Sequence, residues 1–128
     1  MSRAEIIFAY RRLYRAGLEA VMYSQPARTM VRDHLREAFR DKSRAASFDR
    51  QRVLQTCHFL RSAARERGLA HRIVRGLLEI AWHRRRKERL PFHMLKLRKS
   101  QDHIEKTAYV HYEKTIDMLN RTMNLCLR

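Results

Sequence analysis

The chain has 128 residues and a formal net charge of +16, from 29 Lys and Arg against 13 Asp and Glu. This length allows one modest hydrophobic core, a hydrophobic content of 45% excludes a disordered tail, and no apolar run is long enough to span a membrane. Only three Gly and two Pro are present, which indicates an all-helical protein, and the charge indicates a polyanionic partner such as RNA, an acidic protein or an anionic membrane surface.

The first predicted helix spans residues 3–22, and apolar side chains recur on one side of it at helical spacing. They are Ile6, Tyr10, Leu13, Tyr14, Gly17 and Val21. Arg11 and Arg15 follow one edge of this apolar side, where their stems can also simply cover the border of a core helix. Gly17 costs about 1 kcal/mol of helix propensity relative to Ala, which favours a close approach by another helix or a ligand.

Two more helices are predicted before the middle of the chain. The second begins at Pro26, whose fixed φ suits the first turn of a helix, and the third ends at Gly68, a typical C-terminal stop. Beside its apolar side the second helix carries four arginines at intervals of four, Arg28, Arg32, Arg36 and Arg40. Like charges at this spacing destabilise a helix slightly, which favours anions opposite them, although such a row is often only a solvated face.

The half of the chain after Gly68 is predicted to form two further helices. An amphipathic helix begins at Leu69 and ends near Trp82, and Pro91 prevents its continuation. The last helix spans about residues 100–124. Whether this helix folds over the bundle or docks on a neighbour stays open.

A basic segment, residues 84–99, separates these two helices and contains one acidic residue. Its basic residues, which we predict to bind RNA, are Arg84, Arg85, Arg86, Lys87, Arg89, Lys96, Arg98 and Lys99. Trp82 and Phe92 lie beside them, and a cationic run with aromatic neighbours suits phosphate neutralisation and base stacking. A solvated connector, or a positive flank that aids import, is the alternative interpretation.

The first two helices also carry a motif, which consists of the triplet Leu13-Tyr14-Arg15 with Tyr10 and Gly17 around it, and the later pair Phe39-Arg40. This pattern resembles the LYR-motif family of small mitochondrial proteins. In that family a helix with the triplet is followed by a second helix that carries basic residues and a Phe before Arg or Lys, and then by a third helix.

The resemblance covers residues 4–67, which follow the family order of elements. It implies an all-α fold, with an LYR-type three-helix antiparallel bundle over residues 1–68. Residues 69–128 lie outside the resemblance, and we expect them to form a helical extension that contains the basic segment.

The resemblance further implies that the three-helix unit receives the acidic mitochondrial acyl carrier protein, whose acyl-4′-phosphopantetheine arm inserts among the helices. Tyr14, Arg15 and Arg40 are carried over from the motif, and helical geometry adds the others. The predicted carrier-binding residues are Tyr10, Arg11, Tyr14, Arg15, Arg32, Arg36 and Arg40. The predicted lining of the acyl tunnel, which a plain hydrophobic core would also bury, is Leu13, Gly17, Leu35, Phe39 and Leu60.

Catalytic and metal-binding patterns are missing from this sequence. No nucleophile, base and orienting group have the spacing to converge in a pocket. Cys57 and Cys126 are too isolated for a disulfide framework or a CxxC zinc pair, and the seven His form no metal motif. We therefore expect no enzyme, no catalytic residue, no metal site and no directly bound cofactor.

The combined expectation is a non-enzymatic adaptor of the mitochondrial matrix, which attaches the acylated carrier to the RNA and proteins of the mitochondrial ribosome as an assembly factor or accessory subunit. Two alternatives stay open. One is an assembly factor or accessory subunit of a respiratory complex or of the iron–sulfur machinery, and the other is a plain RNA-binding helical module. The amphipathic first helix is expected to be an uncleaved import signal, because cleavage would remove the motif.

Overall fold

The structure is a computed structural model, which describes residues 2–41, 48–89, 91, 93–94 and 102–127. These residues form five helices and no β-strand, which confirms the all-α class. The helices are α1 (Arg3–Ala20), α2 (Ala27–Arg40), α3 (Arg50–Arg65), α4 (Leu69–Glu88) and α5 (Asp102–Thr122). None of them is both long and apolar enough to cross a membrane.

A reciprocal pair of side-chain hydrogen bonds begins α1. The Ser2 hydroxyl accepts from the Glu5 backbone N–H at 3.3 Å, and the Glu5 carboxylate accepts from the Ser2 backbone N–H at 3.1 Å. This capping box satisfies backbone donors that the first turn leaves without helical partners. The acidic side chain also complements the positive end of the helix dipole.

Two predicted helix ends are wrong, and both errors have a local cause. The third helix ends at Arg65 because Glu66 adopts an extended backbone, and Gly68 instead precedes the first turn of α4. The fourth helix continues past Trp82 to Glu88, because the residues in between are good helix formers and the first breaker is Pro91. Part of the basic segment is therefore the last turn of a helix, where cations complement the helix dipole.

The first four helices form a ring in which α1 and α4 each contact both α2 and α3. Gly17 lies where α1 meets α2, and a Cβ atom added to it would be 2.7 Å from Cγ1 of Val31. The close approach predicted at Gly17 is therefore an approach of α2. A side chain at position 17 would therefore force the Val31 side chain or α2 to shift.

Two clusters of buried residues form most of the hydrophobic core in the described part of the chain, and Leu60 packs against both. The first joins α1 to α3 through the buried residues Ala9, Leu13, Ala16, Val53 and Cys57. The second contains Ala20, Phe59, Ala63, Val74, Ile116, Leu125 and Leu127. Because Ile116 is on α5 and both leucines follow α5, the last helix packs on its own chain.

Side-chain hydrogen bonds hold the segment after α5 against α3. Thr56 is 3% exposed, and its hydroxyl donates to the Arg52 carbonyl at 2.8 Å and accepts from the Cys126 backbone N–H at 3.0 Å. The Asn120 amide donates to the Leu127 carbonyl and accepts from the Leu127 N–H, both at 2.8 Å. These bonds fix the register in which the two C-terminal leucines enter the core.

Candidate functional site

Three aromatic side chains join the two halves of the motif. The ring of Tyr10 is stacked on that of Tyr14, with centroids 6.1 Å apart and planes at 4°. The same ring meets Phe39 of α2 edge-on, with centroids 5.3 Å apart and planes at 87°. Such aromatic pairs contribute about 0.5–1.5 kcal/mol beyond the burial of their area, so this contact helps to fix the two helices relative to each other.

The arginines of the predicted carrier-binding surface lie on the same two helices as these aromatic rings. Four of them, Arg11, Arg15, Arg36 and Arg40, are exposed, and none has an ion pair with another residue in the described ranges. The fifth, Arg32, is partly exposed and donates from Nε to Oδ1 of Asp33 at 3.2 Å. The four exposed guanidinium groups are thus available to a ligand without displacing a carboxylate of any residue that the structure describes.

The predicted tunnel residues come together between α1, α2 and α3. Leu13 is 5% exposed and belongs to the first core cluster. Leu35, Phe39 and Leu60 are partly buried and pack against that cluster, while Gly17 is buried at the contact with Val31. The apolar surroundings also raise the pKa of the Cys57 thiol through burial, so this side chain remains neutral within the cluster.

The predicted RNA-binding arginines at the end of α4 contact acidic residues of other helices. Arg85 donates from Nη1 to Oδ2 of Asp33 on α2 at 2.7 Å, and this bond holds the pKa of the Asp33 carboxyl below its ordinary value. Arg84 lies 3.6 Å from the carboxylate of Glu113 on α5, with its guanidinium over the ring of Tyr109 at 4.4 Å. These two arginines therefore connect α4 to α2 and to α5.

The rest of the predicted RNA-binding set divides into three groups. Lys87 donates to the carboxylate of Glu105 on α5. Arg86 and Arg89 are exposed and have no ion pair within the part of the chain that the structure describes. The other predicted residues, Lys96, Arg98 and Lys99, lie outside the described residues.

Sequence reasoning missed the acidic partners of the basic segment. Asp33 is far from it along the chain and Glu105 and Glu113 are on a different helix, so their signs alone could not show that they would meet it. It also missed the location of Trp82, which lines a groove against residues that connect α1 to α2.

No group of three or more His, Cys, Asp or Glu side chains among the described residues is arranged to hold a metal ion.

Comparison with known proteins gives one informative relative. The UPF0593 mitochondrial protein of Schizosaccharomyces pombe is 34% identical over 80 residues, which is 61% of this chain and 63% of that protein. The chain thus spans less than two thirds of the length of the relative it matches. No protein-family model matches the chain, and no solved structure matches it.

Proposed function

We propose that this protein is a non-enzymatic adaptor of the mitochondrial matrix, which binds an acylated acyl carrier protein through α1, α2 and α3. It docks that carrier on the mitochondrial ribosome, as an assembly factor or accessory subunit. The observation that carries the proposal is the contact of Tyr10 with both Tyr14 and Phe39, which unites the motif beside four exposed arginines. Similarity to a mitochondrial protein supports a mitochondrial location, and the matrix is part of the proposal.

The chemistry of the exposed arginines suits an acidic carrier. Guanidinium groups form charge-assisted, often bidentate hydrogen bonds with carboxylates and with a phosphate such as that of the carrier's arm. Arg11, Arg15, Arg36 and Arg40 have no carboxylate of this chain to release first, among the residues described. A chain with a net charge of +16 also attracts an acidic protein over a distance and speeds its association.

The apolar cluster between the three helices supports the second half of the interaction. A hydrocarbon chain transferred from water into such surroundings gains about 0.8 kcal/mol per buried CH₂ group. Leu35, Phe39 and Leu60 pack at the border of this cluster and are only partly buried. In our proposal these side chains move aside to admit the acyl group, while the contact of Gly17 with Val31 keeps α1 and α2 together.

The ion pairs of the basic segment favour a second candidate host. Arg84, Arg85 and Lys87 are bound to carboxylates of the chain itself. Among the described residues of the basic segment, this leaves exposed Arg86 and Arg89, at the C-terminal end of α4, for RNA. An assembly factor or accessory subunit of a respiratory complex, or of the iron–sulfur machinery, needs no RNA contact. It would bind the same carrier through the same arginines.

Native mass spectrometry of the protein isolated from mitochondria at low salt, with and without ribonuclease, tests the proposal. We expect a carrier-sized partner that bears an acyl-phosphopantetheine mass, together with ribosomal material that ribonuclease releases. A carrier with respiratory subunits and no RNA would favour the second candidate. RNA without any carrier would leave a plain RNA-binding module and refute the adaptor.

A further inference from the structure

An apolar groove of about 470 Å³ lies between α4 and the residues that connect α1 to α2. Buried Ala20, Met30 and Val74 contribute to its lining. Met22 and Trp82 also line it, and they are 73% and 43% exposed. Large exposed apolar side chains beside a concave apolar surface are typical of protein interaction sites.

The direction of the groove follows from the residues that α4 contributes. His71, Arg75, Leu78 and Trp82 line it, and their spacing places them along one side of the helix. Eleven residues of α-helix rise about 16 Å, so the groove accepts about three turns of another helix. Binding of an amphipathic helix in an apolar groove is a recurring mode of recognition.

Met22 occupies a backbone conformation that normally selects glycine. Its φ is 52° and that of Tyr23 is 55°. The Tyr23 N–H donates to the Leu18 carbonyl and the Met22 N–H to the Glu19 carbonyl, both at 3.0 Å, which is the Schellman arrangement with Met22 at the left-handed position. Glycine would fit there without steric strain, so the backbone conformation does not explain a methionine at this position, and its side chain is 73% exposed.

Charge decides between the occupants that such a groove could receive. A second copy of a chain with a net charge of +16 would be repelled. Around the groove, exposed Arg28 and Arg72 each follow a lining residue in the chain, while Glu79 is paired with Arg75 at 3.0 Å. The surroundings are therefore cationic, and they favour acidic side chains at the borders of a docked helix.

We infer that this groove binds an amphipathic helix with acidic flanks, supplied by a protein of the assembly that the adaptor joins. The inference rests on the proposed function only in naming the owner of that helix as the host. The predicted carrier-binding arginines lie in the first helix before Gly17 and in the second after Val31, whereas the groove lies at the turn between these helices. One molecule can thus hold the carrier and the host at the same time.

A photo-reactive benzoylphenylalanine residue in place of Met22 tests which molecule occupies the groove in mitochondria. The matched control carries it in place of Ile104, which is 72% exposed on α5. We expect position 22 to crosslink to a segment of a protein other than the acyl carrier, with the sequence of an amphipathic, acid-flanked helix. Crosslinks to RNA, to the carrier or to a second copy, or equal yields at 22 and 104, would overturn the inference.

Trp82 is the only tryptophan of the chain, so its fluorescence reports binding directly. A synthetic peptide of the crosslinked segment should shift its emission to shorter wavelength as the indole loses water. Met22→Gly should weaken this binding at least about 10-fold and leave the urea midpoint undiminished, because glycine suits the left-handed position, whereas Ile104→Ala should leave the affinity unchanged. Unaltered affinity of Met22→Gly would refute the inference.

A variant of the other surface separates this inference from the proposed function. The double substitution Arg15→Glu with Arg36→Glu should abolish carrier binding and preserve the crosslink from position 22. Met22→Gly should still bind the carrier but no longer bind the peptide, which would assign the two partners to two different sites. Loss of both partners in Met22→Gly would contradict that assignment.

Discussion

On α1 and α2, Arg11, Arg15 and Arg36 are exposed and make no ion pair with any described residue, whereas near the end of α4 Arg84 and Arg85 bind carboxylates of neighbouring helices. Both regions are rich in arginine, and both were predicted from the sequence to be binding surfaces. In the folded chain the second region connects helices. A cationic run therefore indicates a ligand only where the fold leaves its charges without partners.

The two regions should differ most in carrier binding. Arg15→Glu with Arg36→Glu should reduce the affinity for purified acyl carrier protein at least about 100-fold, because attractive contacts become repulsive. Arg86→Glu with Arg89→Glu makes the same change in net charge at exposed sites at the C-terminal end of α4, and should alter the affinity less than about 3-fold. Isothermal titration measures both, and equal losses would mean that net charge alone attracts the carrier.

The packing of α1 against α2, the two helices of the first region, should give the next largest effect, which is on stability. Gly17→Ala should lower the free energy of unfolding by about 1–2 kcal/mol, because the new Cβ meets Val31 at 2.7 Å and a valine side chain in a helix is rigid. Gly76→Ala on α4 is the control, since its Cβ meets nothing within 4 Å, and it should stabilise by about 0.5–1 kcal/mol. Urea unfolding tests the pair, and stabilisation by both substitutions would disprove the close contact.

Truncation of one arginine in each region compares their structural roles. Arg85→Ala should cost about 1 kcal/mol of stability, because it removes the 2.7 Å bond to Asp33 from a partly exposed pair. Arg36→Ala removes an exposed side chain without an ion pair and should stay within about 0.5 kcal/mol. A double-mutant cycle of Arg85→Ala with Asp33→Ala would show no coupling if the pair contributed nothing.

The smallest effect that we expect is the pH dependence of the stability contributed by the Arg85–Asp33 pair. The bond from Arg85 holds the pKa of Asp33 below its ordinary 3.8, so the folded state favours the ionised carboxyl. Its contribution to stability is therefore complete above that ordinary value and is lost as the pH falls through the lowered pKa. The difference in urea midpoint between the wild type and Asp33→Asn should be constant from about pH 6 to about pH 5 and shrink below about pH 4. A difference that grows on acidification would mean that folding raises the pKa of Asp33 and does not lower it.

Much of the local structure was predictable. The spacing of apolar residues predicted five helices, and the position of Gly17 predicted a close approach. The end of α3 was wrong because Gly68 is equally suited to precede a helix as to end one. The end of α4 was wrong because a dense positive charge does not stop a helix whose residues have high helix propensity.

The candidate site was predictable only where its residues share a helix or a motif. Tyr10 and Tyr14 stack because they are one turn apart, which periodicity shows. The motif names both Tyr10 and Phe39, but their contact was not predicted, since no local rule brings residues of two helices together. The groove at Met22 and Trp82 was not predicted, because most of α2 and all of α3 separate its two sides along the chain.

The sequence by itself determined the helical class, the apolar side of each helix and the strong positive charge, since these depend on residue type and on spacing within one helix. Only the tertiary structure decided which cations have partners, what approaches Gly17, and where α5 packs. Those outcomes depend on contacts between residues far apart in the chain. The pairing of Asp33 with Arg85, for example, cannot be predicted from the sequence, because it exists only once α2 and α4 pack together.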